Sequence, residues 1–410
     1  MVDSKSLTEL LIYAFQKIPY YSFLSCCKEK NWEEVKEVFD TLPIIDKNII
    51  RKDYAQFIST DFARDALQSI TSQKIDFKKE HVFTISNQKV VVEYTTGSNG
   101  TPFMSLKTVN ERSRLGRALW KKRNAFSPLQ MEDLFCFIHN FDRLEYPFPF
   151  ERCDNIQERI EKEFSYLKEN RFKWWHINAG RLSYYYEWLV NKDIRFDGLQ
   201  VIENNGSYLS HREKEKYAKA FNCRIADHYG CREAWTIAFD CTEGYLHVDD
   251  TCVYVELVDE DGRAIYEDNV PGQVVITTLK QRCMPFIRYK LDDFAYYVSG
   301  KCLCGSSSRR LMLLPGRHLI KGTDIYGNLL FKKVILDLIH KHDLSSFGEI
   351  SIIQYDFYEF IVNISELQSS KEDFENIFKK LAIQELADSR YQFQFTYDNR
   401  YHSKSLFQVK

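Results

Sequence analysis

No unbroken apolar run of about 18 residues occurs anywhere in the 410-residue chain, so no segment is expected to cross a membrane. Neither sign of charge dominates. The 56 Lys and Arg against 58 Asp and Glu leave a formal net charge of −2, which argues against a dedicated nucleic-acid or polybasic membrane surface. Glycine (16) and proline (9) are sparse, while hydrophobic residues make up 44% and aromatics 15%, which excludes collagen-like, low-complexity and disordered classes. Met1 to Tyr20 lacks the basic start and continuous apolar core of a signal peptide, and a cytoplasmic address is the expectation. In that reducing compartment the 11 cysteines should mostly remain thiols, and a tight group of them reads as a metal site before a disulfide.

At roughly 150 residues per domain, the length predicts two domains, or one large domain with an appendage. About the first 80 residues read as helices, for example Asn31 to Phe39, with a break at Pro43 and an amphipathic stretch from Asp53 to Ile70. Short β-rich runs follow: Lys89 to Tyr94, Leu199 to Glu203, Cys223 to His228, Cys252 to Val258, Gln273 to Thr278 and Phe286 to Tyr289. Helical stretches such as Arg212 to Phe221 fall between some of them, an α/β signature. Asp259-Glu260-Asp261-Gly262 predicts a hairpin turn. A Pro-Gly pair at 315–316 predicts a boundary between a large domain (1–314) and a small one (315–410). The small domain reads as strand, strand, helix, strand, namely Ile350 to Gln354, Phe357 to Ile364, Lys371 to Glu385 and Tyr391 to Tyr397.

The most informative stretch runs from the strand Val90-Val91-Val92-Glu93-Tyr94 into Thr95-Thr96-Gly97-Ser98-Asn99-Gly100-Thr101-Pro102. Glycines let backbone N–H groups turn toward an anion, and the hydroxyl and amide side chains add neutral donors. No Lys-Ser or Lys-Thr closes the loop, so it is not a Walker loop, and taken alone it could equally be a polar turn.

Three further motifs follow in order: Tyr229-Gly230-Cys231-Arg232-Glu233, then Pro285-Phe286-Ile287-Arg288-Tyr289-Lys290-Leu291-Asp292-Asp293, then Gly316-Arg317. Together with the loop they resemble the adenylate-forming superfamily of acyl-CoA synthetases, adenylation domains and luciferases, in its phenylacetate-CoA ligase and capsule-biosynthesis branch. The likeness covers about residues 90 to 410. It implies a large N-terminal domain of β-sheets flanked by helices and a small mobile C-terminal α+β domain. The implied chemistry is attack of a carboxylate on the α-phosphate of ATP, giving an acyl-adenylate and pyrophosphate. Thr95 to Gly100 would hold the phosphates, and Tyr229, with His228 and Gly230 beside it, would stack on adenine. Glu233 would help to hold Mg²⁺, and Asp293 and Arg317 would meet the ribose. Lys404, in Asn399 to Phe407, stands where the family's loop lysine bridges carboxylate and phosphate, an electrostatic role. Ser403 replaces the usual glycine there.

Cys241, His247, Cys302 and Cys304 would make a closed set of three thiols and an imidazole, the kind that holds structural zinc. On spacing alone, buried thiols beside a surface histidine fit as well; the branch resembled has a matching Cys-x5-His and Cys-x-Cys-Gly. Two further places depart from the family pattern. Asn205-Gly206-Ser207 stands where a Gly-Glu near the substrate is common, and His318-Leu319-Ile320 where a hinge acid is common. The basic cluster Arg112, Arg114, Arg117, Lys121, Lys122 and Arg123 reads as a solvated helix face, with phosphates of CoA or of a carrier protein as the other reading. The resemblance implies a small carboxylic acid as substrate, an aromatic one for this branch, with Phe126, Phe141 and Tyr184 to Tyr186 as candidate ring contacts or as core. It leaves the acceptor open between the thiol of CoA, the phosphopantetheine of an acyl carrier protein and an amine. It also allows a homodimer, or a non-catalytic nucleotide-binding relic.

Overall fold

The computed structural model describes residues 4–27, 32–71, 81–95, 103–138, 148–150, 156–192, 194–206, 209, 211–259, 261–314, 338–339, 342, 344–356, 359–365, 367–386, 392–397 and 407–409. The chain divides into two compact units, Met1–Leu291 with Ala295–Met312, and Asp292–Phe294 with Leu313–Lys410.

In the first unit, β1 (His81–Ile85), β2 (Gln88–Thr95) and β3 (Phe103–Thr108) form an antiparallel sheet. Ser86 and Asn87 join β1 to β2 with φ of 47° and 61°, the double left-handed turn that matches strand twist. A second sheet has ten strands: β4 (Phe135–Ile138), β5 (Trp174–Ile177), β6 (Val201–Asn205), β7 (Arg224–Tyr229), β8 (Ala238–Asp240), β9 (Leu246–Val248), β10 (Val253–Val258), β11 (Gly272–Thr278), β12 (Tyr289–Tyr297) and β13 (Arg310–Leu313). Their spatial order is β10-β11-β12-β13-β9-β8-β7-β6-β5-β4. The run β4 to β7 is parallel, and helices Ile156–Asn170, Ala179–Lys192 and His211–Phe221 make the crossovers that parallel strands require.

Alternation along these strands decides what each face buries. Trp174 and Trp175 are adjacent and both fully buried, yet they belong to different cores. Trp175 packs with Ile177, Ile202, Leu182, Tyr185 and Phe221 among the crossover helices. Trp174 packs with Val201, Ala226, Leu119 and Phe126, on the face covered by helix Val109–Phe126. That helix starts with a capping box in which Thr108 and Glu111 satisfy each other's backbone. Glu111 also accepts from the backbone N–H of Arg282 and Cys283, which ties the helix start to the loop after β11.

The N-terminal helices bury Leu10, Leu11, Phe15 and Tyr21 against Leu279 and Ile287. Arg288 donates to the carbonyls of Asp40 (3.0 Å) and Leu42 (2.7 Å), and Ile45 bridges to Tyr289. Three expected elements differ. The run from Asp53 to Ile70 is split into a short 3₁₀ turn, Tyr54–Gln56, and helix Ala63–Thr71, because the Asp53 carboxylate caps the turn at Ala55 N–H. Residues 286–288 form no strand, since Arg288 takes φ +46° and β12 begins only at Tyr289. The Asp259 turn exists, with Gly262 at φ +79°, but β10 pairs with β11 from Gln273 onward and, among the described residues, makes only the bridge Val258–Ala264 next to the turn.

The second unit carries β14 (Glu349–Asp356), β15 (Glu359–Ser365), β16 (Gln392–Thr396) and β17 (Phe407–Val409) in the order β16-β15-β14-β17. Helix Lys371–Leu386 packs Phe374 and Phe378 onto Ile350, Ile352, Phe360 and Val362. The strand β17, parallel to β14, is absent from the sequence reading. Among the described residues no helix is long and apolar enough to cross a membrane.

Candidate active site

The strand before the glycine-rich loop and the strand after it are held by a buried ion pair. Lys107 Nζ on β3 donates to Glu93 on β2 (2.8 Å), to Ser105 Oγ (3.2 Å) and to the carbonyl of Arg232 (2.8 Å). Trp235 Nε1 donates to the same carboxylate at 3.3 Å. Burial alone would push the Glu93 carboxyl up; Lys107, with Arg232 and Arg112 nearby, holds it below the usual range. A lysine and a glutamate that are both fully buried must stay paired, and the bonds from Lys107 to the Arg232 carbonyl and from Trp235 to Glu93 tie the hairpin to the turn Tyr229–Trp235. The Thr95 hydroxyl, at the end of β2, is buried and has no partner among the described residues.

That turn is sterically tight. A Cβ on Gly230 would lie 1.8 Å from the Trp235 carbonyl oxygen, so no other residue fits there. At its far end Glu233 is buried, accepts from Tyr289 Oη at 3.0 Å and lies 4.0 Å from Lys47 Nζ. Gln281 donates to the Glu233 carbonyl at 2.7 Å. The arrangement brings one carboxylate, one hydroxyl and one half-buried ammonium to the same spot, beside a hairpin whose loop is rich in phosphate-type donors. One carboxylate together with a nucleotide's phosphates is the usual ligand set of Mg²⁺, and Glu233 is suited to it.

A second network crosses the parallel strands. Arg123 grips the Glu203 carboxylate with two hydrogen bonds, Nε at 2.7 Å and Nη2 at 2.9 Å. Trp174 Nε1 adds a third at 2.9 Å, and His228 Nδ1 lies 2.9 Å and His176 Nε2 3.6 Å from Oε1. Burial opposes the charge on Glu203, but His176, Arg123 and His228 hold its carboxyl far below the ordinary range. The ligand atoms of His176, Glu203 and His228 lie within 4.8 Å of one another. A dication there would sit against the Arg123 guanidinium, which already engages both carboxylate oxygens, so the trio reads as an ion network. His228 Nε2 faces Thr236 Oγ1 at 3.1 Å, and Asn205 Nδ2 is 3.1 Å from His228 Nδ1.

Cys241, His247, Cys302 and Cys304 come together, with all four ligand atoms within 4.8 Å of one another. The Cys241 and Cys302 sulfurs are 3.7 Å apart, and Cys304 Sγ is 3.4 Å from His247 Nε2. The β13–β9 pairing sets Arg310 opposite His247, which brings the Cys302–Cys304 turn to the end of β8. His247 Nδ1 lies 2.9 Å from the Ser308 carbonyl, which fixes the tautomer and leaves Nε2 for a metal. The donor set, its closeness and its outer hydrogen bond all fit a tetrahedral dication.

Of the residues singled out in the sequence, Asn205, Gly206, His228, Tyr229, Gly230 and Glu233 gather at the carboxyl ends of β6 and β7, and the four zinc candidates form one cluster. Asp293 lies half-buried in β12 and belongs to the second unit. Thr96 to Gly100, Ser207, Arg317 and Lys404 lie outside the described residues. Two of the suggested ring contacts are core: Phe126 packs against Trp174 and Phe239, and Tyr185 is fully buried. Arg123 is no part of a solvated face. Glu93, Lys107, Glu203, His176 and Lys47 escaped the sequence reading. A signal existed for two of them: Glu93 and Glu203 are single acids inside apolar strand runs, Val90-Val91-Val92-Glu93 and Val201-Ile202-Glu203, where a charge must find a buried partner.

No protein-family model matches the sequence, and no curated protein matches it. Solved structures do. A 2-hydroxyisobutyryl-CoA ligase in an open conformation, in complex with 2-HIB-AMP and CoA, superposes with a TM-score of 0.65 at 14% identity, over 98% of this chain and 88% of that one. The same ligase in a postadenylation state gives 0.62 at 14% identity, over 99% and 87%. Its thioesterification state gives 0.58 at 13%, over 99% and 89%. The chain therefore shares the mixed α/β fold of that ligase over nearly its whole length.

Proposed function

We propose that this protein activates a carboxylic acid with ATP and passes the acyl group to a thiol. A carboxylate oxygen attacks the α-phosphorus and pyrophosphate leaves; a thiolate then attacks the acyl carbon and AMP leaves. The observation that carries this reading is the convergence of three motifs far apart in sequence. The turn Tyr229–Glu233 is bonded on one side to the hairpin that holds both ends of the glycine-rich loop and on the other to Tyr289. A polyphosphate on the loop would meet the Glu233 carboxylate, which is suited to holding Mg²⁺ against it. Lys47, now the neighbour of Glu233, would turn its charge to the phosphates. In this reading Tyr229 stacks on adenine, Asp293 and Arg317 meet the ribose, and Lys404 offsets the negative charge that builds on phosphorus and carboxylate. The Cys241, His247, Cys302 and Cys304 cluster holds structural zinc, which pins the β8–β9 hairpin to the turn before β13. The branch resembled favours an aromatic acid, and CoA or a carrier-protein phosphopantetheine as the thiol.

The test is ATP–pyrophosphate exchange with benzoates, phenylacetates, fatty acids and amino acids. Exchange that depends on a carboxylate is expected. Intact nucleotide binding without such exchange would overturn the reading in favour of a non-catalytic nucleotide-binding protein.

A further inference from the structure

Helix Val109–Phe126 has two faces of opposite character. The inner one buries Glu111, Leu115, Leu119, Arg123 and Phe126. Its first turns are fastened to the candidate site: Glu111 accepts from the backbone of Arg282 and Cys283, the Arg112 guanidinium lies 5.3 Å from the Trp235 ring, and Gly116 faces the same indole, where a Cβ would come within 3.5 Å of Cζ3. The outer face carries Asn110, Ser113, Arg114, Arg117, Lys121 and Asn124, all exposed, with three cations and no acid among them. At 1.5 Å of rise per residue, Arg114, Arg117 and Lys121 form one stripe about 10 Å long. None of the three side chains has an ion pair or a hydrogen bond among the described residues, whereas Arg112 and Lys122 on the flanks reach Glu93 and Asp249. Arg114 stands near enough to the Arg282 guanidinium for the two charges to oppose each other. Other helices of the chain mix signs, as in the pairs Glu158–Lys162 and Glu375–Lys379. Like charges held side by side repel, and a basic face that pairs with nothing in its own fold is complementary to an acidic surface.

We propose that this face docks an acidic carrier protein, whose phosphopantetheine thiol is the acceptor of the acyl group. This deepens the adenylation reading and rests on it. Shape decides between the acceptors. A small ligand such as CoA is held in a cleft that covers most of its surface, but the outer side of a helix is convex, and an extended row of cations there suits another protein's surface. Trp120, 38% exposed at the edge of the stripe, adds the aromatic and arginine composition of protein interfaces. A carrier on this face stands beside the turn Tyr229–Trp235, to which Arg112 and Gly116 fasten the helix. Its thiolate then attacks the acyl carbon, the bond from that carbon to the phosphate oxygen breaks, AMP leaves and the thiol proton goes to water.

The experiment takes each phosphopantetheine carrier protein of the source organism, purified in its thiol-bearing form, and measures acyl transfer to it and to CoA with an acid that supports ATP–pyrophosphate exchange. The enzymes compared are the wild type, the triple variant Arg114→Glu, Arg117→Glu, Lys121→Glu, and the conservative variant Arg114→Lys, Arg117→Lys. The triple variant should lose at least about tenfold in kcat/KM for a carrier, the lower end of what electrostatic steering contributes to association, and the conservative variant should keep most of it. Wild-type transfer to the carrier should also weaken as salt rises from about 50 to about 500 mM, and that dependence should shrink in the triple variant. Exchange, which reports the folded fraction, and transfer to CoA should change by less than about twofold, because neither uses this face. An equal loss with CoA, a triple variant that transfers like the wild type, or no carrier that accepts the acyl group overturns the assignment and leaves the adenylation reading standing. Exchange with no acid of any class overturns both.

Discussion

Replacing Arg123 by methionine would strand the Glu203 carboxylate. Both side chains are almost completely buried, and the guanidinium supplies two of the carboxylate's hydrogen bonds. What remains is Trp174 Nε1 at 2.9 Å and the two histidines, too little to hold a full charge out of water. Removing one partner of a buried pair costs about 3–5 kcal/mol, set against a total stability of about 5–15 kcal/mol. The double variant Arg123→Met with Glu203→Gln removes the charge as well, and its amide oxygen can still accept from Trp174. It should recover at least about 2 kcal/mol relative to Arg123→Met alone, a coupling energy typical of charges in direct contact. Urea unfolding followed by tryptophan fluorescence reads both, since Trp174 touches the carboxylate. The acid limb adds a check of sign. Glu203 has a folded-state carboxyl far below the ordinary range, so its stabilisation is complete above the unfolded value of about 4.3 and drains away as pH falls below it. Glu203→Gln should flatten that limb by up to about 1.4 kcal/mol per pH unit. A cost below about 1 kcal/mol for Arg123→Met, of the order of an exposed pair, or a coupling near zero, would refute the account of this network.

Three further outcomes follow from the site. Glu233→Gln keeps an acceptor for the Tyr289 hydroxyl, so urea stability should change by less than about 1 kcal/mol; exchange should drop at least about tenfold through loss of the metal ligand, and wild-type exchange would remove Glu233 from that role. Purified protein should carry about one zinc per chain, and Cys302→Ser should hold less than about half an equivalent and melt at a lower temperature; a metal-free wild type as stable as one supplied with zinc would exclude a structural centre. Gly230→Ala should cost about 2 kcal/mol or more because its Cβ would enter the Trp235 carbonyl at 1.8 Å, and an unchanged melting temperature would show that the turn yields.

By itself the sequence determined many of the elements and which side-chain chemistry is on offer. A β-branched run marks the strand that leads into the glycine-rich loop, a helical stretch is legible at Arg212 to Phe221, and residue identity makes Cys241, His247, Cys302 and Cys304 a plausible ligand set. These are local properties, settled within a few residues or by side-chain type. Only the tertiary structure decided which charges are solvated and which are paired. Arg123 stands in a run of basic residues and looks exposed, but the helix roll that sets Leu119 and Phe126 on the sheet carries it inward to Glu203. Lys107 reaches the Arg232 carbonyl, and Lys47 reaches Glu233, only because separate elements pack there. The same packing turns Phe126 and Tyr185 into core and leaves Phe137 half open. A residue's burial and its long-range partner depend on how elements meet in space, and no pattern within one element encodes that.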